Sequence, residues 1–198
     1  MKKIMMIAAL MVATLSASAQ KTLRETGSFT LQPKVGIGFG SMTGSWTSLG
    51  GVDKKSRVGM IAGVEGEYYA TNFLGIAAGL NYAQQGWKHE GVDYKETQKL
   101  DFINIPITAN FYVAKGFALK AGVQFGFLVN AEIEDLDNKD VFKKFNFSIP
   151  VGVSYEYADF VLDARYKFAT TTLNKNSGSF NEWRSDLFQI TLGYKFGL

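Results

Sequence analysis

The chain contains no cysteine, one histidine and three prolines. Without cysteine, neither disulfide staples nor a cysteine-linked lipid anchor is expected. One histidine and no cysteine leave no zinc-ligand spacing, and no phosphate-cradling glycine loop occurs. No stretch of convincing length has helical periodicity. The one long apolar run is at the start. There "MKK", the apolar "IMMIAALMVATL" and the small-residue site Ala17-Ser18-Ala19 occur in the order of an export signal. Residues 1–19 therefore read as a cleaved signal peptide, and the mature chain is expected to begin at Gln20. Its 179 residues (198 less 19) suit one domain. Losing Lys2 and Lys3 takes the formal charge from +3 to +1. No basic face or run is then left to neutralise phosphates, so no nucleic-acid partner is expected.

What the chain has is glycine, 21 residues of it, and 14% aromatics. Both suit β-structure, and eight segments alternate in polarity: 29–40, 58–70, 74–88, 98–113, 117–131, 145–157, 160–170 and 185–197. Each exceeds the roughly nine to eleven residues that a tilted strand needs to cross a bilayer. The connections "TNF", "AKG" and "AD" are tight turns, whereas "SMTGSWTSLGGVDKKSR", "EGVDYKETQ", "EDLDNKDVFKK" and "TTLNKNSGSFNEWR" are long and polar. Short and long alternate strictly. All short turns then lie at one end with both termini, as in an up-and-down outer-membrane barrel with short periplasmic turns and long outer loops. Residues 20–28 form a short periplasmic lead-in, and 29–198 the barrel.

Which face of each strand meets water decides the class. One face is bulky and apolar, for instance Phe145, Phe147, Ile149, Val151, Val153, Tyr155 and Tyr157 in the sixth segment. About half a dozen such residues on each of eight strands would overfill so narrow a tube. The other face is small and polar and carries Gly36, Gly38, Gly59, Gly63, Gly75, Gly79, Gly122, Gly126, Gly152 and Gly193. Glycine inside a strand costs stability, and crowding within a narrow bore is a reason to bear it. The apolar face is therefore expected to meet lipid. Two aromatic girdles flank it: Tyr68, Phe111, Phe117, Tyr157, Phe160 and Tyr194 near the short turns, and Tyr82, Phe127, Phe145, Phe168 and Phe188 near the long loops. A mean hydropathy of −0.01 agrees, because alternation cancels in the average.

The same parity places nine charges inside: Lys34, Lys120, Arg165, Lys167 and Lys195 against Glu65, Glu67, Glu156 and Asp163. Five against four is close to balance, as an enclosed lumen requires. The expectation is a salt-bridged structural plug, and the alternative use of the same residues is an ion or proton path. No catalytic, cofactor or metal site is expected. His89 in "WKHEGVD" has Ser41, Ser45 and Ser48 of the first loop and Glu90 or Asp93 as conceivable triad partners, but nothing in the spacing forces them together. Trp46 and Trp183 read as loop-packing or interface residues, with a binding surface at the outer rim as the alternative. "EIEDLDNKD" has cation-ligand chemistry without calcium-loop spacing and reads as a solvated loop.

The stretch "LDFINIPITANFYVAKGFALKAGVQFGFLV" resembles the PorT-like outer-membrane β-barrel domain of Bacteroidetes. The likeness is carried by Ile105-Pro106, Lys115-Gly116 and Ala121-Gly122-Val123-Gln124-Phe125-Gly126, with "IPVGVSYEY" and the closing "ITLGYKFGL" fitting the pattern. The resemblance implies an eight-stranded barrel in the outer membrane of a Gram-negative bacterium. It also implies insertion by the barrel-assembly machinery, which reads an aromatic near the end of the last strand. Here Phe196 and Leu198 share the outward face of that strand. Fold does not fix function. The expected role is structural or one of interaction, with outer-membrane lipid around the barrel and an envelope or extracellular protein partner at the outer loops. The alternatives are a narrow pore or secretion-system component, the role of the family's founder, and a lipid-directed enzyme.

Overall fold

The computed structural model describes residues 25–43, 53–90, 95–133, 136–137, 143–172 and 184–198. The expected signal peptide lies outside them. Each of the eight alternating segments is a strand: β1 (Phe29–Thr43), β2 (Asp53–Tyr69), β3 (Leu74–Glu90), β4 (Lys95–Ala114), β5 (Phe117–Ile133), β7 (Phe145–Tyr157), β8 (Phe160–Ala169) and β9 (Arg184–Tyr194). Two short pieces complete the sheet. β6 (Leu136–Asp137) pairs with the end of β5, and β10 (Phe196–Gly197) pairs with the start of β1.

Neighbours in sequence are neighbours in space, and every pairing is antiparallel. β1 pairs with β2 on one side and with β9 on the other, from Lys34 opposite Gly193 to Thr43 opposite Arg184. That last pairing closes the eight long strands into a barrel and removes the free edges an open sheet would expose. No helix among the described residues is long and apolar enough to cross a membrane.

The tight connections follow from local chemistry. Lys115-Gly116 joins β4 to β5 with Gly116 at φ +72°, and a Cβ there would run into the Glu156 carbonyl. Ala158-Asp159 joins β7 to β8 with φ of 46° and 68°, the left-handed pair that a two-residue hairpin loop requires. Several strands run further into the polar connections than expected. β2 begins at Asp53 and β4 at Lys95, because the β2–β3 and β3–β4 ladders continue past the polar-loop boundary, with Asp53 opposite Glu90 and Glu90 opposite Lys95. The last segment, expected as one strand, is interrupted at Lys195. Its N–H donates to the Asp159 carbonyl at 2.8 Å, between β9 and β10.

Exposure alternates along the strands as the two-residue period dictates. β7 shows it plainly: Phe145, Ile149, Val151, Val153 and Tyr157 are exposed, while Asn146, Ser148, Ser154 and Glu156 are buried. Val35, Met60, Ile76, Leu80, Leu119 and Leu192 extend this exposed apolar surface around the other strands. An apolar belt on every strand is far larger than the patches that soluble monomers tolerate. Of the girdle residues, Tyr68, Phe111, Tyr157 and Phe160 are exposed at the short-turn end, and Tyr82, Phe127, Phe145, Phe168 and Phe188 at the other. Phe117 and Tyr194 are only half-exposed. Tyr194 is flanked by ring contacts to Phe160 at 5.1 Å and Phe196 at 4.8 Å.

Candidate functional site: the charged lumen

The strand period turns Lys34, Glu65, Glu67, Lys120, Glu156, Asp163, Arg165, Lys167 and Lys195 into the bore, where all nine are buried, none more than 8% exposed. They sort into three layers along the barrel axis.

The layer nearest the short turns is built on Lys195. Its Nζ donates to Glu67 Oε2 at 2.9 Å and to Glu156 Oε2 at 3.0 Å. It also donates to the hydroxyls of Tyr69 at 2.9 Å and Tyr112 at 3.2 Å. Glu67 is held from its other oxygen by Tyr112 at 2.6 Å and by the Asn110 amide at 2.8 Å. One cation thus faces two carboxylates, and the neutral donors supply the hydrogen bonds that a buried carboxylate requires.

The middle layer is a five-membered network. Lys34 donates to Glu65 at 2.6 Å, and Arg165 donates to the other Glu65 oxygen at 2.9 Å. Arg165 also grips Asp163 through Nε at 2.7 Å and Nη2 at 2.9 Å, the forked geometry that makes guanidinium–carboxylate pairs strong. Lys120 closes the network, 2.8 Å from Asp163 and 3.5 Å from Glu65. Glu65 stands on β2, Lys120 on β5 and Arg165 on β8, so these pairs cross the bore rather than run along its wall. Three cations meet two carboxylates here, and the surplus charge is opposite in sign to that of the first layer.

Glycines make the room. Gly152 lies opposite both Lys120 and Arg165, and a Cβ there would come within 2.8 Å of Arg165 Cγ. A Cβ on Gly75 would collide with the Glu67 carboxylate. Long charged side chains can fold across a narrow lumen because the neighbouring strand lacks side-chain bulk at those positions.

The third layer, toward the long loops, corrects the expectation of a wholly small and polar interior. Ile61, Ala83 and Leu187 form a buried apolar cluster, and Leu100 and Phe102 on β4 are buried as well, Phe102 opposite Ala83 in the ladder. A Cβ on Gly38 would come within 2.9 Å of both the Ile61 and Leu187 side chains, so the cluster occupies the space that this glycine vacates. Lys167 enters this layer without a carboxylate at ion-pair distance among the described residues. Its Nζ donates to Gln85 Oε1 at 2.8 Å and lies 5.7 Å from the centre of the Phe102 ring. Ser185 donates to the same Gln85 oxygen at 3.3 Å.

Tyr69, Tyr112, Asn110 and Gln85 complete the site and were not singled out from sequence. Their inward parity is readable from the two-residue period, which places Asn110 on the polar inner face, but parity does not say which charges they meet. The side chains of His89, Glu90 and the acidic run from Glu132 to Asp140, and the residues Ser45, Trp46, Ser48, Asp93 and Trp183, lie outside what the structure describes. Ser41 is exposed at the end of β1, opposite Asp186. Among the described residues, no group of three or more histidine, cysteine, aspartate or glutamate side chains is arranged to hold a metal.

Comparison with known proteins agrees with this geometry. Residues 18–178 match the family model described as "Outer membrane protein beta-barrel domain". Neisserial surface protein A is similar in structure, with a TM-score of 0.55 at 18% identity, covering 85% of this chain and 97% of that one. Ail, the attachment invasion locus protein of Yersinia pestis, has a TM-score of 0.51 at 14% identity, covering 87% of this chain and all of that one. At such identities the likeness is one of fold. No curated protein sequence matches the chain.

Proposed function

The chain belongs to the outer membrane protein β-barrel domain family, and from that premise we propose that it is a non-conducting barrel of the outer membrane with a structural or interaction role, its long outer loops forming the binding surface. The observation that carries this reading is the cross-bore network. Glu65 on β2 is ion-paired with Lys120 on β5 and Arg165 on β8, and every charge in it is buried. A path for ions would have to break several charge-assisted hydrogen bonds at once. The short turns and termini face the periplasm and the long loops face outward, by the layout usual for such barrels. Export by the leader at 1–19 and insertion by the barrel-assembly machinery complete the picture. The PorT-like motifs at 105–126 support a Bacteroidetes origin.

The reading makes the protein neither a pore nor an enzyme. Reconstitution in planar bilayers tests it: no stepwise conductance is expected, and reproducible single-channel steps from the wild-type chain would refute the plug. Replacing His89 with alanine should leave the host's lipid profile unchanged, and a changed profile would revive the enzyme. Site-specific crosslinkers in the outer loops should capture a discrete envelope or extracellular protein. Uniform failure to crosslink in the intact cell would reduce the role to a structural one.

A further inference from the structure

One cation in the bore breaks the pattern of the rest. Lys34, Lys120, Arg165 and Lys195 each have a carboxylate oxygen within 3.0 Å. Lys167 is as deeply buried, at 2% exposed, yet its Nζ meets the neutral Gln85 Oε1 at 2.8 Å and the Phe102 ring instead. A second cation is tied to the same glutamine. Arg57 stands on β2 opposite the buried Gly40 of β1, and its guanidinium donates to the Gln85 carbonyl. Neither Lys167 nor Arg57 has a carboxylate at ion-pair distance among the described residues.

Gln85 is the hub of this group. Its Oε1 also accepts from the Ser185 hydroxyl at 3.3 Å, so the amide oxygen is turned toward both donors. The other end of the amide, Nε2, is buried and has no hydrogen-bond partner among the described residues. Flipping the amide would only set its NH2 against the Lys167 ammonium group, which has no lone pair to offer. The side chains gathered here are therefore rich in donors and in positive charge. A buried donor without an acceptor and a buried cation without a counter-charge are both costly. Water would satisfy the amide and leave the charge uncompensated, whereas an anion answers both needs with charge-assisted hydrogen bonds.

Register sets the depth of the group and limits the size of the anion. On β2, β3 and β9, Arg57, Gln85 and Ser185 lie nearer the long loops than Ile61, Ala83 and Leu187, while Lys167 is paired with Leu187. The apolar cluster thus lies beneath the donors, and the half-buried Arg57 marks the approach from the loop side. At this height β1 and β3 crowd together: a Cβ on Gly40 would lie 2.7 Å from the Gly86 carbonyl. So narrow a bore suits a monatomic ion better than a phosphate or a carboxylate ligand. We propose that Lys167 Nζ and Gln85 Nε2 hold a small monovalent anion of the halide class, with Arg57 adding positive charge from the loop side. The ion supplies the counter-charge that carboxylates supply in the other two layers. Holding an ion is distinct from passing one, so the site does not depend on the bore being closed or on a partner at the loops.

Urea titration of the full-length barrel in detergent tests it, with sodium bromide compared against sodium gluconate at matched ionic strength. Gluconate is too large for the site and controls for screening. An ion bound only by the folded chain lowers the unfolding constant in proportion to its concentration once the site is nearly full. Each tenfold rise in bromide should then lower the wild-type unfolding constant about tenfold. Gln85→Glu sets a carboxylate beside Lys167 in nearly the same shape. It should abolish the bromide response and, in gluconate, be at least as stable as the wild type. Lys167→Met should abolish the response as well, and if that variant does not fold, Gln85→Glu decides. Anomalous diffraction from crystals grown in bromide should place the ion beside Lys167 Nζ and Gln85 Nε2. A bromide response of equal size in the wild type and Gln85→Glu would be a general salt effect and would overturn the proposal. So would a wild-type chain indifferent to bromide, a Gln85→Glu chain less stable than the wild type in gluconate, or a map with only water at the two nitrogens.

Discussion

Glu65→Gln is the sharpest perturbation of the plug. Glu65 is 2% exposed and accepts from Lys34 at 2.6 Å and Arg165 at 2.9 Å, with Lys120 at 3.5 Å. At an effective dielectric of about 20, each contact is worth roughly 5 to 6 kcal/mol before solvation is counted. Burying the carboxylate costs several kcal/mol, which the substitution recovers. What it leaves behind decides the balance: Lys34, Lys120 and Arg165 with Asp163 as their remaining local carboxylate. Breaking a buried network from one side in this way should destabilise by about 3–5 kcal/mol. The glutamine is nearly isosteric, so the loss is one of charge and not of packing. Urea titration of the barrel in detergent, followed by the gel-mobility difference between boiled and unboiled samples, would measure it. The double variant with Lys34→Gln should show a coupling of about 0.5–3 kcal/mol, because the two residues share one network. A loss below about 1 kcal/mol, or strictly additive effects, would mean that the charges are solvated and the bore is not sealed there.

Three further outcomes follow from the other layers. Lys167→Met should be neutral or stabilising by about 1–4 kcal/mol, because it removes a buried cation that has no carboxylate partner among the described residues and keeps the volume; the same urea titration reads it, and a loss comparable to that of Glu65→Gln would contradict the layering. Gly38→Val should cost about 1–3 kcal/mol by driving methyl groups into Ile61 and Leu187, and the paired change Gly38→Val with Ile61→Ala should recover part of it. Gly116→Ala should cost at least about 1–2 kcal/mol and slow refolding into vesicles, since φ is +72° and the new methyl meets the Glu156 carbonyl. An unaffected refolding yield there would refute a tight turn.

The strands were legible because one rule, alternation, acts on every residue of a barrel wall. Phe117 to Val129 illustrates the point: Leu119, Phe127 and Val129 are exposed while Lys120 and Gln124 are buried, as parity requires. The same rule brought nine distant charges to one enclosure but said nothing of partners, since pairing depends on stagger between strands. Arg165 meets Glu65 a hundred residues away only because β2 and β8 reach the same depth across the bore. The apolar layer was missed for a related reason. Ile61 and Leu187 have inward parity, yet their neighbour Gly38 reads as part of a small face until register shows that it makes room for both. The extended ends of β2, β3 and β4 escaped because polar residues such as Lys54 and Lys55 pair as well as apolar ones once a hairpin stands beyond the membrane.

The two chemistries of the lumen have different consequences for permeability. The first two layers are cohesive through charge: their surpluses are of opposite sign, so together they are neutral, and their ion pairs tie several strands to one another. Such a network fixes register, because a one-residue slip would turn every charge toward lipid at a cost of several kcal/mol each. It does not by itself exclude water, which is a natural partner for carboxylates and ammonium groups. The layer of Ile61, Ala83, Leu187, Leu100 and Phe102 is apolar, interrupted by Lys167 and Ser185, which share Gln85 Oε1 as acceptor, and by Gln85 Nε2, which has no partner among the described residues. Placed between the ion network and the long loops, it is the part of the bore best suited to resist wetting. If that division holds, Ile61→Ser with Leu187→Ser should admit water to the middle layer and accelerate hydrogen exchange at the Glu65 and Arg165 amides while the salt bridges persist. Exchange unchanged from wild type would mean that the charged layers seal the barrel unaided.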